Sequence, residues 1–152
     1  MTRLTRSGVS VDVPDGWEGD ISGDGMQLLS DGTREPTVLH VASFPMPAER
    51  GSFGAGAVEL MNSADVFMAL FEYGPDSVGT ALFANQGVPR AVLPGDFDRD
   101  ALQFARPGQS GLQHFFTHNG RAFSLYIVIG SHLDRAQLVE RVNSVLASLE
   151  IQ

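Results

Sequence analysis

Two histidines four residues apart, His114 and His118, are the residues whose type and spacing most directly suggest chemistry. On a helix, that spacing would place two imidazole rings on one face, where they could share a metal ion. On a strand, the same side chains lie about 13 Å apart, which is too far for a shared ligand. Because the surrounding pattern predicts a strand, we expect no metal site. Histidine can act as a general base near neutral pH, so both residues are kept as candidates for a ligand or catalytic site.

Three aspartates, Asp96, Asp98 and Asp100, alternate with other residues as they do at the opening of a calcium-binding loop. The twelve-residue calcium loop needs glycine at its sixth position and glutamate at its twelfth, where this chain has Ala101 and Pro107. We therefore interpret the segment as a solvated loop in which Asp98 caps a short helix.

The remaining stretches that resemble cofactor or catalytic motifs fail on spacing. The glycine-rich stretch 51–56 has neither the glycine pattern nor the lysine of a phosphate-binding loop. The stretch 108–112 lacks the last glycine of a nucleophile elbow, so no serine hydrolase is indicated. Glu59, Asp65 and Glu72 are interpreted as surface or capping groups. The sequence thus predicts no catalytic residue, no metal and no cofactor.

The elements that position the two histidines centre on a hairpin with an Asn119-Gly120 turn. This dipeptide between apolar runs is a strong hairpin signal, because both turn positions require positive φ. The turn predicts that Phe116 pairs with Phe123 and that His114 pairs with Leu125. These pairs share one face with Leu112, His118, Arg121, Ile127 and Ile129. We predict that this face belongs to the core.

The second face of the hairpin carries Phe115, Tyr126 and Val128. If the sheet is covered on one side only, these side chains stay partly exposed and mark a protein interface, a self-association surface or a ligand groove. In the alternative interpretation, the segment 45–62 or the region 76–108 covers them.

An amphipathic helix follows the hairpin. Asp134 is expected to cap it, with Gln137 completing a capping box and Leu133 packing on Leu138 as a hydrophobic staple. Its apolar stripe recurs at intervals of three and four residues, which predicts burial against the core face of the hairpin. The stripe consists of Leu138, Val139, Val142, Val145, Leu146 and Leu149.

The rest of the chain predicts a mainly antiparallel sheet with helices on one face, that is, an α+β fold ending in the amphipathic helix. The segment 66–73 fits a strand or a helix, and its aromatic and β-branched residues favour the strand. A long loop is expected over 48–62. The other predicted elements are strands at 8–13, 26–29, 38–44 and 88–93, a turn at Asp31-Gly32, a helix at 77–84 and a helical turn at 98–105.

Composition limits the class of protein. The 152 residues fit one domain, 1–152, and 43% hydrophobic with 18% charged residues is ordinary for a globular chain. Ten basic against eighteen acidic residues, a net charge of -8, argues against nucleic-acid and anionic-membrane partners. Zero cysteine excludes thiolate metal sites and a cysteine nucleophile.

The sequence also leads to an expectation about the cellular location of the protein. No signal peptide and no run of transmembrane length is visible, so a cytoplasmic protein is expected. All ten basic residues are arginine, which we interpret as the mark of a high-GC bacterial genome.

Two segments prompt a family comparison. The stretch Gly8–Trp17, a strand ending in Pro-Asp-Gly-Trp, resembles the start of PsbP-like domains. The stretch from Gly120 to Ile151 looks like the final hairpin, helix and tail of the same domains, and together the two cover about a third of the chain. The resemblance implies an α+β sandwich and a protein-binding role, as in extrinsic photosystem proteins, a small-GTPase-binding import factor and chaperones for secreted effectors. That superfamily has no shared catalytic motif, so no residue role is implied.

The leading hypothesis from the sequence is therefore a non-enzymatic protein-binding or adaptor domain. A second hypothesis is a small-molecule-binding protein or enzyme with a pocket near His114 or His118. A third is a structural homo-oligomer that associates through Phe115, Tyr126 and Val128.

Overall fold

Antiparallel strands dominate the computed structural model, which describes residues 1–28 and 34–152. A three-stranded sheet has the order β1-β2-β10, a five-stranded sheet has the order β3-β6-β7-β9-β8, and β4 pairs with β5. The strands are β1 (Thr2–Arg6), β2 (Val9–Val13), β3 (Glu18–Ser22), β4 (Gly25–Leu28), β5 (Arg34–Glu35), β6 (Val38–Ala42), β7 (Val66–Glu72), β8 (Ser110–His118), β9 (Arg121–Ile129) and β10 (Glu150–Ile151).

The predicted α+β fold with helices on one face is wrong, because the described chain is mostly β. Its single α-helix is the 12-residue α1 (Arg135–Leu146). The segment expected to form a helix at 77–84 instead forms two 3-10 turns, Pro75–Ser77 and Ala81–Phe83. The reason is Gly79, which lies inside the segment with φ 84°, a backbone conformation that an α-helix does not contain.

The strand expected at 88–93 is also wrong. This stretch is irregular, and its amides bond to side chains: Val88 N–H to His118 Nδ1 at 3.2 Å and Val92 N–H to Asn143 Oδ1 at 2.8 Å. The helical turn expected at 98–105 shortens to one 3-10 turn, Arg99–Ala101. The predicted cap at Asp98 is confirmed, because its carboxylate accepts the N–H of Asp100 at 2.7 Å.

The hairpin prediction is confirmed in its register. Phe116 pairs with Phe123 and His114 with Leu125, around a turn in which Asn119 has φ 51° and Gly120 has φ 75°. The ambiguous segment 66–73 is the strand β7, paired with β6 on one side and β9 on the other. It is apolar on both faces because both faces of the five-stranded sheet are covered.

The strands at 8–13, 26–29 and 38–44 are found as β2, β4 and β6, whereas Leu29 and Asp31-Gly32 lie outside the described residues. The sequence reasoning missed β1, β3 and the two-residue strands β5 and β10. Both β1 and β3 are largely polar and exposed, so they lack the apolar alternation by which strands are recognised.

Helix α1 buries its predicted stripe but begins differently from the prediction. All six stripe residues are buried, and the helix packs on β2, β7 and β9. The Asp134 side chain makes no capping bond, and the N–H of Asp134 donates to Ser131 Oγ at 3.3 Å. Leu133 is 82% exposed, so the predicted staple with Leu138 is also wrong. Within residues 1–28 and 34–152, no helix has the length and apolar character needed to cross a membrane.

Candidate functional site: a groove between two strand edges

The second face of the hairpin is covered. Tyr126 and Val128 are each 1% exposed, beneath a cluster that includes Phe53 and Val58 of the long loop. The Tyr126 hydroxyl accepts the N–H of Gln103 at 2.7 Å, and burial raises the pKa of this phenol. The alternative in which this face is covered is therefore correct. Both the 45–62 segment and the 76–108 region contribute, the latter through Leu102 and Gln103.

Phe115, the third residue of that face, is half-buried within an aromatic cluster. Its ring centroid lies 5.5 Å from that of Phe83 and 6.2 Å from that of Tyr73. Phe115 is thus packed against the irregular region that follows β7, and its remaining exposed surface is small.

The two candidate histidines have different environments. His118 is tied to the backbone, since its Nδ1 accepts the N–H of Val88. His114 stacks on Phe116, with centroids 5.8 Å apart. It lines a cavity of about 310 Å³ together with Pro89, Ala91, Val92, Asp96 and Leu112. Burial lowers the pKa of His114, and the Asp96 carboxylate opposes that shift. Across the described part of the chain, no cluster of three or more histidine and acidic residues could hold a metal.

Asp96, Asp98 and two of the three candidate carboxylates accept hydrogen bonds from the local backbone. Asp96 accepts the N–H of Leu93 at 2.8 Å. Glu59 accepts the N–H of Gly56, and Asp65 accepts that of Asn62, each at 2.8 Å. The prediction of capping groups is confirmed for Glu59 and Asp65.

Glu72 is neither a surface group nor a cap, so its predicted role is wrong. It is 5% exposed and accepts two hydrogen bonds from Arg121, at 2.9 and 3.0 Å. Arg121 directly follows the Asn119-Gly120 turn. The guanidinium also lies over the ring of Phe123 at 5.1 Å. Such a fork-like pair engages both carboxylate oxygens and is typical of a structural ion pair.

The glycine-rich stretch 51–56 has a packing role. At Gly54, with φ 90°, a β-carbon would lie 2.8 Å from the ring of Phe67. Only glycine allows the long loop to lie this close to the sheet.

A groove between two strand edges was missed by the sequence analysis. It has a volume of about 550 Å³ and lies between β1 and β3. Each of these strands is the last of its sheet, paired on one side only within the described chain. The two strands approach closely at Gly19, where a β-carbon would stand 2.6 Å from Val13 Cγ2 and 2.9 Å from Leu4 Cδ1. Glycine at this position therefore lets the β1-β2 hairpin rest on β3.

The groove has an apolar inner wall. Leu4, Val13 and Trp17 line it, and all three belong to or pack against the main core. The indole of Trp17 is half-buried and lies under the guanidinium of Arg141, 5.2 Å from the carbon to the ring centroid. This cation–π contact orients the ring while one part of it stays accessible.

The outer wall of the groove carries two carboxylates, Glu18 and Asp20, beside Met46 and Ala48. Glu18 Oε1 accepts the N–H of Met46 at 2.9 Å, and Asp20 Oδ2 accepts from Arg50 at 3.0 Å. Their second oxygens accept no bond from the described residues. The free hydrogen-bonding capacity of this wall is therefore of the acceptor type.

Arg50 and His40 hold the outer wall in place. Arg50 donates from Nε to His40 Nδ1 at 2.7 Å and from Nη1 to the carbonyl of Pro47 at 2.8 Å. His40 Nδ1 is thus an acceptor, which assigns the proton to Nε2, and Nε2 donates to the carbonyl of Ser52 at 2.8 Å. Burial first, and Arg50 second, lower the pKa of His40, so the ring is neutral at neutral pH. No local pattern joins residues 20, 40 and 50, so sequence reasoning had no signal for this network.

Comparison with protein-family models, with curated proteins and with solved structures finds no match to this chain. The resemblance to PsbP-like domains stays a prediction.

Proposed function

We propose that this chain is a protein-binding domain and that its binding surface is the groove between β1 and β3. The observation that carries the proposal is a half-buried tryptophan, Trp17, beside two strand edges that the described chain leaves unpaired. Tryptophan in a partly enclosed site is a frequent anchor of protein interfaces. An unpaired strand edge presents backbone donors and acceptors that a partner can satisfy.

The shape of the groove supports a protein partner. Its apolar inner wall and its acidic outer wall stand on either side of β3, so an occupant meets both at once. Its wall at 46–50 is held by the His40–Arg50 network and is present before any partner arrives. A preformed groove reduces the ordering cost of binding.

The test uses Ala48, an exposed residue on the rim of the groove, and Ala84, an exposed residue at the opposite end of the five-stranded sheet. Ala48→Trp fills the groove without touching the core, and Ala84→Trp is the matched control. Random decapeptides displayed on phage are selected on the wild-type chain, and the affinities of enriched peptides for all three proteins are measured by calorimetry.

We expect enriched peptides to bind the wild type and Ala84→Trp alike and to lose at least tenfold in affinity for Ala48→Trp. Both variants should unfold within about 0.5 kcal/mol of the wild type, as exposed substitutions usually do. Peptides that bind Ala48→Trp as well as the wild type, or a selection that enriches none, would overturn the proposal. Light scattering on the same samples measures self-association, and a dimer that Ala48→Trp dissociates would make the partner a second copy.

A second candidate function rests on the cavity beside His114, which favours a small-molecule ligand. Its lining is largely apolar, with one imidazole and one carboxylate, as in many ligand sites. A library of small fragments, screened by ligand-observed NMR, should give hits that lose binding to His114→Gln and keep it for His118→Gln. Hits with the same affinity for both variants would exclude this cavity.

A further inference from the structure

We infer that the partner segment binds in an extended conformation, as a short strand added to the free edge of β3 at Gly19, and that its residues alternate between apolar and basic. This inference rests on the proposed protein-binding function and names the chemistry of the partner.

The free edge of β3 can be located from one hydrogen bond. Arg6 Nη1 donates to the carbonyl oxygen of Ile21 at 3.4 Å, from the side of the β1-β2 hairpin and opposite to β6. In an antiparallel strand, residues two apart direct their backbone groups to the same edge. The N–H and C=O of Gly19 therefore point to the groove, where Gly19 itself forms part of the lining.

The usable edge is short. At one end Arg6 covers the Ile21 carbonyl and is itself paired with Asp24 at 3.0 Å. At the other end the chain turns at Trp17, whose N–H bonds to the carbonyl of Pro14 at 3.1 Å. The stretch Glu18–Asp20 remains, so an added strand pairs with Gly19 at its centre and makes one pair of backbone bonds there.

The alternation of side chains in β3 sets the sequence of the partner. Glu18 and Asp20 lie on the outer face with their unbonded oxygens, whereas the inner face beside Gly19 is bounded by Leu4 and Trp17. An added strand has the same two-residue period, so one set of its side chains meets the apolar wall and the other meets the carboxylates.

Charge complementarity favours lysine or arginine in the outer set. The only guanidinium lining this groove, that of Arg50, has bonds to Asp20, His40 and Pro47, so it cannot neutralise Glu18. The chain also carries a net charge of -8. A partner segment of the form apolar–basic–apolar therefore satisfies both walls. An apolar–acidic segment would be repelled by the carboxylates, and a helix lacks the two-residue period.

The test is an N-methyl scan of a synthetic peptide, Ac-Val-Arg-Val-Lys-Val-Arg-Val-NH₂, with Ac-Val-Glu-Val-Glu-Val-Glu-Val-NH₂ as the charge control. Methylation of one backbone amide at a time removes one hydrogen-bond donor, and the added methyl group keeps that point of the peptide away from the edge of β3. The amide that pairs with Gly19 loses its bond on methylation, so we expect the largest loss, about tenfold, at one central valine. Amides two residues away would carry a methyl group against the same edge and should show smaller losses, with little change at the residues between them. The acidic peptide should bind at least tenfold more weakly.

Two protein variants test whether the negative charge of Glu18 attracts the basic peptide. Glu18→Gln keeps the acceptor for the N–H of Met46 and removes the charge, and Glu150→Gln removes an exposed charge on β10. We expect Glu18→Gln alone to lower the affinity of the basic peptide several-fold and to reduce its salt dependence.

Methylation losses without a two-residue period would overturn strand addition, and equal binding of the basic and acidic peptides would overturn the charge assignment. If either result appears while Ala48→Trp still abolishes binding of the phage-selected peptides, the protein-binding function stands and only this inference fails. If Ala48→Trp leaves the binding of those peptides unchanged, the groove is not the binding surface and both proposals fail.

Discussion

The two edges of the five-stranded sheet, β8 and β3, are protected in opposite ways. Thr117 of β8 exchanges backbone bonds with the segment 85–87, at 2.8 Å in each direction, and Gly111 exchanges bonds of 2.9 Å with Asp98. On β3 the only bond from the hairpin side to the strand backbone that the described chain records is the one from Arg6 to Ile21. A sheet edge is a template for further pairing unless something covers it. The chain covers its β8 edge with its own irregular segment and leaves the Gly19 edge to the groove.

The difference also explains the irregular region 74–109. Its residues were expected to form a helix and a strand, and they instead run along β8 with 3-10 turns. This region covers the edge of β8. Covering it requires hydrogen bonds at a few points along the strand, which an irregular segment can supply without a helix or a strand.

The largest effect is expected from Phe83→Ala at the covered edge. Phe83 is 4% exposed and packs on Tyr73 and Phe115, so truncation leaves a cavity and should lower the free energy of unfolding by about 3 kcal/mol. Urea denaturation measures it, with Leu82→Ala as the control, since Leu82 is 58% exposed. Equal losses for both variants would mean that the segment does not pack on β8 in solution.

A smaller loss is expected for Thr117→Val. The Thr117 hydroxyl donates to the carbonyl of Phe83 at 2.7 Å in a buried site, and valine keeps the shape but leaves that oxygen unbonded. The free energy of unfolding should fall by roughly 1–3 kcal/mol. Thr117→Ser restores the hydroxyl and should recover most of it. Hydrogen exchange should show faster opening of residues 83–87 in the valine variant, and unchanged exchange there would contradict a covering role for this bond.

The smallest effect concerns His40, which holds the outer wall of the groove through Arg50, and it is a change in stability with pH. The folded pKa of His40 lies below its ordinary value of 6.5, so the unfolded chain binds more protons as the pH falls. The contribution of His40 to stability is therefore full above about pH 7 and decreases as the pH falls through 6.5 towards the lower folded pKa. Arg50 and Asp20 face the ring, and His114 shifts in the same direction.

Urea denaturation between pH 5 and 7 checks this expectation on the wild type, His40→Gln and His114→Gln. His40→Gln should flatten part of the pH dependence, and binding to the groove should weaken at low pH in the wild type only. A pH slope that is identical in the wild type and in His40→Gln would show that His40 does not titrate with unfolding.

The parts of the fold that were predicted correctly rest on local signals. The register around Asn119-Gly120 follows from two adjacent residues and the alternation beside them. The buried stripe of α1 follows from a spacing of three and four residues. The predictions that failed used local signals that tertiary contacts override, such as the expected cap at Asp134 and the expected helix at 77–84.

At the candidate site, too, local signals in the sequence did not reveal what distant segments form together. His114 and His118 were candidates because of their spacing, yet their environments differ and neither lines the groove between β1 and β3. Trp17 enters the sequence analysis only as the end of the stretch Gly8–Trp17, and the groove around it depends on Leu4, Asp20 and Arg50, which no motif connects. Burial of Tyr126 could be stated only as one of two alternatives, because the covering loop has no regular period.

The sequence by itself determined the β8–β9 hairpin and the apolar face of α1, because the information for each lies within a few residues. It favoured the strand at β7 without excluding a helix. Only the tertiary structure decided which edge of the sheet is covered, that His40 is locked by Arg50, and that a groove opens between β1 and β3. These features depend on segments that are distant in sequence and meet through packing. They also depend on close approaches such as the one at Gly19, which the amino-acid sequence alone does not reveal.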